Sequence, residues 1–412
     1  MAKFIRLLEN AFAIGSLLLF SQGFFLLFLG TDLDSNPDVD NLFLRLIFQI
    51  IYLITFVLLL LRWNKTIQSV KGNWWIFILI GLAIISILWS SLPDITLRKV
   101  FALIGTTFFG IYLGTHYNFQ ERIKILSWVF GISIIFSFLF IFIIPTYGIM
   151  QSEALQGAWR GIYPHKNGLG ESMVIAFITF YILSISRLGR KYKWIFRLAS
   201  LLTAILIFFG KSATSLLSIV FTYAAIQVLK RLSIKSKKGV LLILTMLILG
   251  VILQIIFVVN FQEFLAVNNR DITLSGRTIM WSVLWDFIQK KPWLGYGYGA
   301  FFSADQTETQ LLWQVIEWGP VHAHNGYIQI CLNVGIIACL LFVIGYCYSL
   351  LKSLFLYLVS KDDKMLWTFS FLSYTIFFNF TEVSFLSINN VSWILALATI
   401  FSLNIENKKI IQ

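Results

Sequence analysis

Hydropathy patterning constrains this chain more than any other feature. Windows of about nineteen residues reach membrane-spanning apolarity near 8–30, 42–61, 74–92, 99–116, 124–145, 167–186, 194–210, 212–229, 239–259, 326–350, 365–380 and 389–404. Crossing a hydrocarbon core about 30 Å thick takes about twenty apolar residues of helix, which satisfies its own backbone N–H and C=O groups away from water. The pattern predicts an all-α, polytopic integral membrane protein with about twelve transmembrane helices. Composition agrees, since 58% of the 412 residues are hydrophobic and 12% are charged, too little polar surface to enclose a water-soluble core. The forty Phe and fourteen Trp suit a lipid-facing surface with interfacial aromatic belts.

A net charge of +13 would suggest nucleic acid in a soluble protein. Here most basic residues sit in turns between spans, so topology explains them and no nucleic-acid partner is expected. Lys3 and Arg6, the Arg62 and Lys65 turn, Arg187 to Lys193, Lys230 to Lys238 and Lys408 mark the cytoplasmic side, placing both termini there. The acidic turn Asp32 to Asn41 and the long polar stretch 260–325 then face outward. Three parts follow: helices one to nine in 1–259, a large external loop in 260–325, and helices ten to twelve in 326–412. The start, MAKFIRLLENAF, lacks a small-residue cleavage site before its apolar run and reads as a first span, not a removed signal. Cys331, Cys339 and Cys347 fall eight apart in one expected span, about 12 Å per step along a helix, so they read as packing residues and not as a disulfide.

Nine basic residues lie on the outer side against the charge rule: Arg98, Lys99, Arg160, Lys166, Lys211, Arg270, Arg277, Lys290 and Lys291. Cations gathered at the outer ends of different helices would suit an anion, and the guanidinium fork suits phosphate. Single ones among them can equally be surface charges.

Four stretches carry chemistry-bearing residues. In Trp159 to Met173, WRGIYPHKNGLGESM, Pro164 and three glycines lead into a helix whose N-terminus would favour an anion beside Arg160 and Lys166; the plain alternative is an interfacial turn with snorkelling bases. In Leu274 to Phe301, Trp281, Leu284, Trp285 and Ile288 share a helical face, one turn after Arg277, which predicts an amphipathic helix at the outer interface. Gly295, Gly297 and Gly299 follow at period two and permit close backbone approach, to a ligand or within a sharp bend. In His322 to Gly335, His324 lies at the lip of the tenth span, where an imidazole of ordinary pKa about 6.5 suits general-base work on a hydroxyl. His322, two residues away, would point elsewhere on a helix, and too few further ligands are at hand for a metal. In Asn379 to Asn390, Glu382 is a carboxylate at the mouth of the last helix pair, able to orient an arginine or a substrate hydroxyl, or to cap a helix.

Together, from about Trp159 to Glu382, these stretches resemble the O-antigen ligase and polysaccharide polymerase superfamily of the Wzy-C type. His324, Asn325 and Gly335 meet its HN-x9-G pattern, with Ala338 where the family usually has Gly, Thr or Tyr. The SGR-x3-W run with its PWLGYGYGAF sequel, the WRGIYPHKNGLG stretch and the NFTE turn are most similar to the exopolysaccharide polymerase branch. The resemblance implies a glycosyltransferase-C-like, metal-independent, inverting membrane enzyme without a cofactor, in a bacterial inner membrane with its site on the external side. It would join undecaprenyl-diphosphate-linked repeat units into polymer. The alternatives are a ligase passing finished glycan to lipid A core or protein, and a non-catalytic carrier or flippase for lipid-linked sugars. The two halves of the chain differ, which weighs against the carrier. In the family's roles, His324 is catalytic and Arg160 and Arg277 hold the diphosphate; Lys166 and Lys211 join them, with Asn325, Glu382 and Gly335 supporting. Partners implied are the lipid-linked glycan donor, a glycan acceptor, the bilayer, a chain-length regulator and a flippase.

Overall fold

A computed structural model describes residues 2–30, 41–70, 72–152, 155–231, 275–316 and 318–411, with isolated positions at 245, 248–249 and 252. Among the described residues all regular structure is helical, apart from an isolated antiparallel bridge between Ile149 and Trp159. In chain order the helices are α1 (Ala2–Phe20), α2 (Phe25–Leu29), α3 (Leu42–Leu61), α4 (Trp63–Val70), α5 (Trp74–Ile85), α6 (Pro93–His116), α7 (Phe119–Ile143), α8 (Pro145–Gly148) and α9 (Lys166–Ile185). Then come α10 (Lys193–Phe209), α11 (Ala213–Arg231), α12 (Ser275–Lys290), α13 (Thr307–Ile316), α14 (Gly326–Val334), α15 (Ile336–Ser360), α16 (Asp363–Phe378) and α17 (Val391–Ile411). Among the described residues, seven helices are long and apolar enough to cross a membrane: α3, α6, α7, α9, α11, α15, and α10 together with its leading turn. The expected total of about twelve is therefore not established, and the span expected at 239–259 and the acidic turn after residue 31 lie largely outside the described residues.

Local sequence explains where several helices begin. Asn41 caps α3, its side chain accepting from the N–H groups of Phe43 and Leu44. Pro93 opens α6, and Asn118 with Glu121 forms a reciprocal capping box on α7. The helix at the centre of the bundle is α9, 78% buried along its apolar window against 22% for α10, which packs along it. Such a helix meets protein on every side, and it can carry polar groups only where partners await them. Ionic groups knit the bundle at one end: Glu9 takes Arg6 at 2.9 Å and Arg62 at 2.7 Å, while Arg6 also reaches Glu121 at 2.8 Å.

Two expectations about helix continuity are corrected. The expected first span at 8–30 breaks between α1 and α2, where Gln22 and Phe24 adopt positive φ and the Phe24 N–H donates to the Ile162 carbonyl at 2.8 Å. The expected tenth span, 326–350, is two helices broken at Gly335, at φ 90° and ψ 170°, a region open in practice to glycine alone. The break also changes the cysteine reading. Cys331 and Cys339 sit on different helices, so the spacing along one helix does not separate them; both thiols are free, and that of Cys339 donates to the Tyr327 carbonyl at 3.6 Å.

The segment after Pro292 fills this break. The Ile336 N–H donates to the Pro292 carbonyl at 2.8 Å, Tyr296 N–H to Leu332 at 2.7 Å, and Gly299 N–H to the Asn333 side chain at 3.1 Å. Gly295, Gly297 and Gly299 all have positive φ, and side chains there would overlap Leu332, Ser90 and Lys99. Their close approach on that side is thus to neighbouring segments of the chain. The amphipathic helix α12 forms, with Leu284 and Ile288 buried; Trp285, expected on that face, is 51% exposed, and Trp281 donates to the Ala323 carbonyl at 2.8 Å.

A methyl group at Gly335 would overlap the Trp293 carbonyl and strain φ as well. Gly335→Ala should therefore destabilise the protein by more than about 3 kcal/mol, read as a lowered unfolding midpoint in detergent, whereas an unchanged midpoint would mean the break tolerates a side chain.

Candidate functional site

The site is built around one carboxylate. Glu382 lies in the turn between α16 and α17, and its Oε1 accepts from Arg277 Nη2 at 3.1 Å and from Asn167 Nδ2 at 3.0 Å. Its Oε2 stands 3.4 Å from His324 Nδ1, within ion-pair range but without the alignment of a hydrogen bond. The Arg277 and Glu382 side chains are only 10% and 8% exposed. A buried pair of this kind persists only where further hydrogen bonds satisfy it, and Arg277 Nη1 supplies one to the Thr381 carbonyl at 2.7 Å.

Each partner arrives on a different element. Asn167 is in the first turn of α9, capped by His165, whose Nδ1 accepts from the Asn167 N–H at 3.2 Å. Arg277 is in the first turn of α12. His324 ends the loop before α14 in a left-handed backbone conformation, φ 45°, uncommon for a residue with a side chain and frequent at functional sites. Asn325 holds that loop in place. Its side-chain oxygen caps α14 by accepting from Tyr327 and Ile328, while its Nδ2 donates to the Phe380 carbonyl at 3.2 Å. Asn379 closes the turn from the other side, accepting from Ser384 and Phe385 N–H groups, and its carbonyl takes the Gly326 N–H at 2.8 Å. The HN and NFTE stretches are thus two halves of one junction.

Charge follows from this burial. Burial disfavours ionisation of Glu382, but Arg277 beside it, with His324 and His322, outweighs burial and holds the carboxyl well below the usual carboxylate range. Burial and then Arg277 push the His324 pKa down, opposed by Glu382. His324 is accordingly a neutral imidazole at neutral pH, with Nδ1 towards a carboxylate.

Of the residues singled out in the sequence, the structure brings Arg277, His324, Asn325 and Glu382 together. Lys166 and Lys211 form a rim: Lys166 Nζ donates to the Lys211 carbonyl at 3.4 Å, Lys211 Nζ to the Gln156 carbonyl at 3.4 Å, and Lys166 is close enough to Arg277 and Glu382 to interact with their charges. Arg160 is elsewhere. Its side chain is fully buried and donates to the carbonyls of Tyr147, Thr146 and Pro164 at 2.9, 3.2 and 3.3 Å, so it pins the loop that leads into α9. Gly335 supports α14 from its far end. Asn167 and His322 are members that the sequence reading missed. His322 was expected to point away, but 322–325 is a loop and not a helix, and the His322 and His324 ring centroids are 4.1 Å apart. For Asn167 the available signal was a polar side chain one residue into a helix that must be buried all round.

His322, His324 and Glu382 each offer one ligand atom, all within 4.8 Å of one another, a three-ligand set that counting histidines alone did not reveal. Two features compete with a cation there: Arg277 already occupies Glu382, and His322 Nδ1 accepts the His324 N–H at 3.2 Å. A cavity of about 1050 Å³ lies at the opposite ends of α9 and α16, lined by His116, Glu121, Arg187, Asp363 and Trp367, and contains none of the cluster.

Comparison with known proteins finds two similarities. Residues 198–343, which include Arg277 and His324, match the family model described as O-antigen ligase. The chain is also 24% identical, over 296 residues, to the exopolysaccharide production protein ExoQ of Rhizobium meliloti, an alignment covering 69% of this chain and 66% of that relative's length. The resemblance read from the motifs is thereby shown: a helical chain with seven described helices long and apolar enough to cross a membrane is similar over residues 198–343 to the O-antigen ligase family model, and over 69% of its length to an exopolysaccharide production protein.

Proposed function

We propose that this protein is a metal-independent, inverting glycosyltransferase that joins undecaprenyl-diphosphate-linked oligosaccharide repeat units into an extracellular polysaccharide. The observation that carries the proposal is the juxtaposition of a neutral imidazole, His324, with a buried guanidinium–carboxylate pair, Arg277 and Glu382, beside a rim of lysines.

Glycosyl transfer from a lipid diphosphate has two electrostatic demands. Negative charge grows on the departing diphosphate, and the attacking hydroxyl must lose a proton. Arg277, Lys166 and Lys211, with the N-terminus of α9, supply cations and N–H donors for the first. His324 serves the second. With Nδ1 facing Glu382, its Nε2 takes the acceptor proton, and the carboxylate stabilises the imidazolium that results. Glu382 also fixes Arg277, and Asn167 fixes Glu382, so the base and the anion-binding group are held by one carboxylate. Arg160 acts at a distance in this scheme, positioning the approach to α9 instead of touching the diphosphate. The site faces the outside of a bacterial inner membrane, where charge topology puts the 260–325 loop.

The family description favours a second reading, a ligase that transfers finished glycan to an acceptor such as lipid A core, by the same chemistry. The two differ in the acceptor, and the lipid-linked pool separates them. In a deletion strain complemented with His324→Ala, single repeat units on undecaprenyl diphosphate should accumulate and polymer should be lost, seen by gel and mass spectrometry. Full-length polymer trapped on the lipid would establish the ligase instead, and no change in either pool would end both readings. With purified protein, loss of the base should reduce turnover by about 10² to 10⁴-fold, and Arg277→Ala should abolish chain extension while the protein still inserts.

The pH profile tests the roles of the pair. Because the His324 pKa is lowered in the folded protein, the neutral base persists below about 6.5, so the acidic limb of kcat/KM should lie below that value. Glu382→Gln removes the charge that raises the His324 pKa. Its residual activity should be lower and its acidic limb should move to still lower pH; an unmoved limb would show that His324 and Glu382 do not act as a pair.

A further inference from the structure

We propose that His322 is a second imidazole of the site, a neutral donor whose Nε2–H holds the acceptor hydroxyl while His324 removes its proton. The proposal rests on the glycosyl-transfer reading above and adds to it a residue for the acceptor.

The geometry defines the tautomer. The His324 N–H donates to His322 Nδ1 at 3.2 Å, so the Nδ1 lone pair is used and the ring proton belongs on Nε2. His322 and His324 are only partly buried, and among the described residues no hydrogen bond engages Nε2 of either ring. A histidine with a purely structural role usually has both nitrogens satisfied, whereas this one spends Nδ1 on the strained backbone of its neighbour and leaves a donor open at the same wall. The ring centroids lie 4.1 Å apart with the planes 56° from parallel, so the two imidazoles are immediate neighbours without stacking. Trp318, partly exposed, has its ring centroid 5.9 Å from that of His324 and borders the same wall.

The His324 N–H on Nδ1 keeps His322 in this form, since a doubly protonated ring would have no lone pair there to accept it. One ring therefore stays a donor and the other an acceptor, a pairing that grips a hydroxyl in one orientation: its oxygen accepts from His322 and its hydrogen points to His324. In the transfer, the acceptor oxygen bonds to the anomeric carbon, the bond to the diphosphate oxygen breaks with its electron pair leaving on the diphosphate, and the hydroxyl proton ends on His324 Nε2. His322 gains and loses nothing. The same three side chains are the candidate cation ligands, but a metal on His322 would have to displace either the backbone N–H from Nδ1 or the proton from Nε2, beside the guanidinium of Arg277.

The test uses the full chain in vesicles, supplied with lipid-linked repeat unit and assayed for new glycosidic linkage, with His322→Phe, His322→Gln and His324→Ala alongside the unaltered protein. Phenylalanine keeps the ring and loses both nitrogens; glutamine keeps an acceptor and a donor. His322→Phe should lower kcat/KM for the acceptor about tenfold or more, and His322→Gln should recover most of that loss, in both cases with EDTA present. If His322→Phe fails to accumulate, His322→Ala takes its place, and recovery of its activity by added imidazole is then the expected result. Equal rates for His322→Phe and the unaltered protein, no recovery with glutamine or imidazole, or loss of the unaltered protein's activity in EDTA with return on adding zinc would each overturn the donor role, the last in favour of a metal. Those outcomes leave glycosyl transfer in place, the last removing only its metal independence, because without EDTA the unaltered protein still forms linkages and His324→Ala does not. Absence of linkage from the unaltered protein would overturn both.

Discussion

A carboxylate buried among helices of a membrane protein is the constraint on which the rest of this site depends. In such surroundings an isolated charge is strongly disfavoured, and Glu382 is accommodated because Arg277, Asn167 and His324 converge on it from three other segments of the chain. The dependence is mutual. Removing one member leaves the others buried without compensation, at a cost of about 3–5 kcal/mol for a broken buried pair. The first turns of α9 and α12, the loop before α14 and the turn before α17 are therefore fixed together by one acid.

Neutral hydrogen bonds make that convergence rigid. Asn325 and Asn379 tie the histidine loop to the Glu382 turn, Asn325 through a side-chain amide shared between the start of α14 and the Phe380 carbonyl, and Asn379 through a side chain that braces its own turn and a backbone carbonyl that takes the Gly326 N–H. Below them, the break at Gly335 admits the 292–299 segment, which repairs the interrupted helix by donating to Leu332 and Asn333. An unwound backbone inside a membrane bundle survives only where protein satisfies it. The short α14, which presents His324 at its mouth, owes its direction to this repair.

Much of the site was legible before any coordinates. Arg277, His324, Asn325 and Glu382 were identified from residue type, position near span ends and a family resemblance, and they meet in space. Arg160 shows the limit of that reasoning. A cation among glycines at the mouth of a helix has the same appearance in sequence whether it faces a ligand or its own backbone, because the answer depends on where the carbonyls of Tyr147 and Pro164 lie. The glycines at 295, 297 and 299 carry the same ambiguity, and they face neighbouring segments of the chain. His322 was set aside on a helical assumption that a single loop reverses.

The sequence by itself determined that this is a helical membrane protein, because runs of apolar residues near twenty long admit few other solutions in a bilayer. It also determined which side chains were worth watching, since charged groups near span ends are costly unless something uses them. Only the tertiary structure decided which of them share a site. Contacts such as Asn167 with Glu382, or Arg277 with Thr381, join residues more than a hundred positions apart, and their geometry depends on helix breaks, a left-handed histidine and the packing of α9 at the centre. Those are outcomes of the whole chain minimising unsatisfied polar groups at once, and no local pattern encodes them.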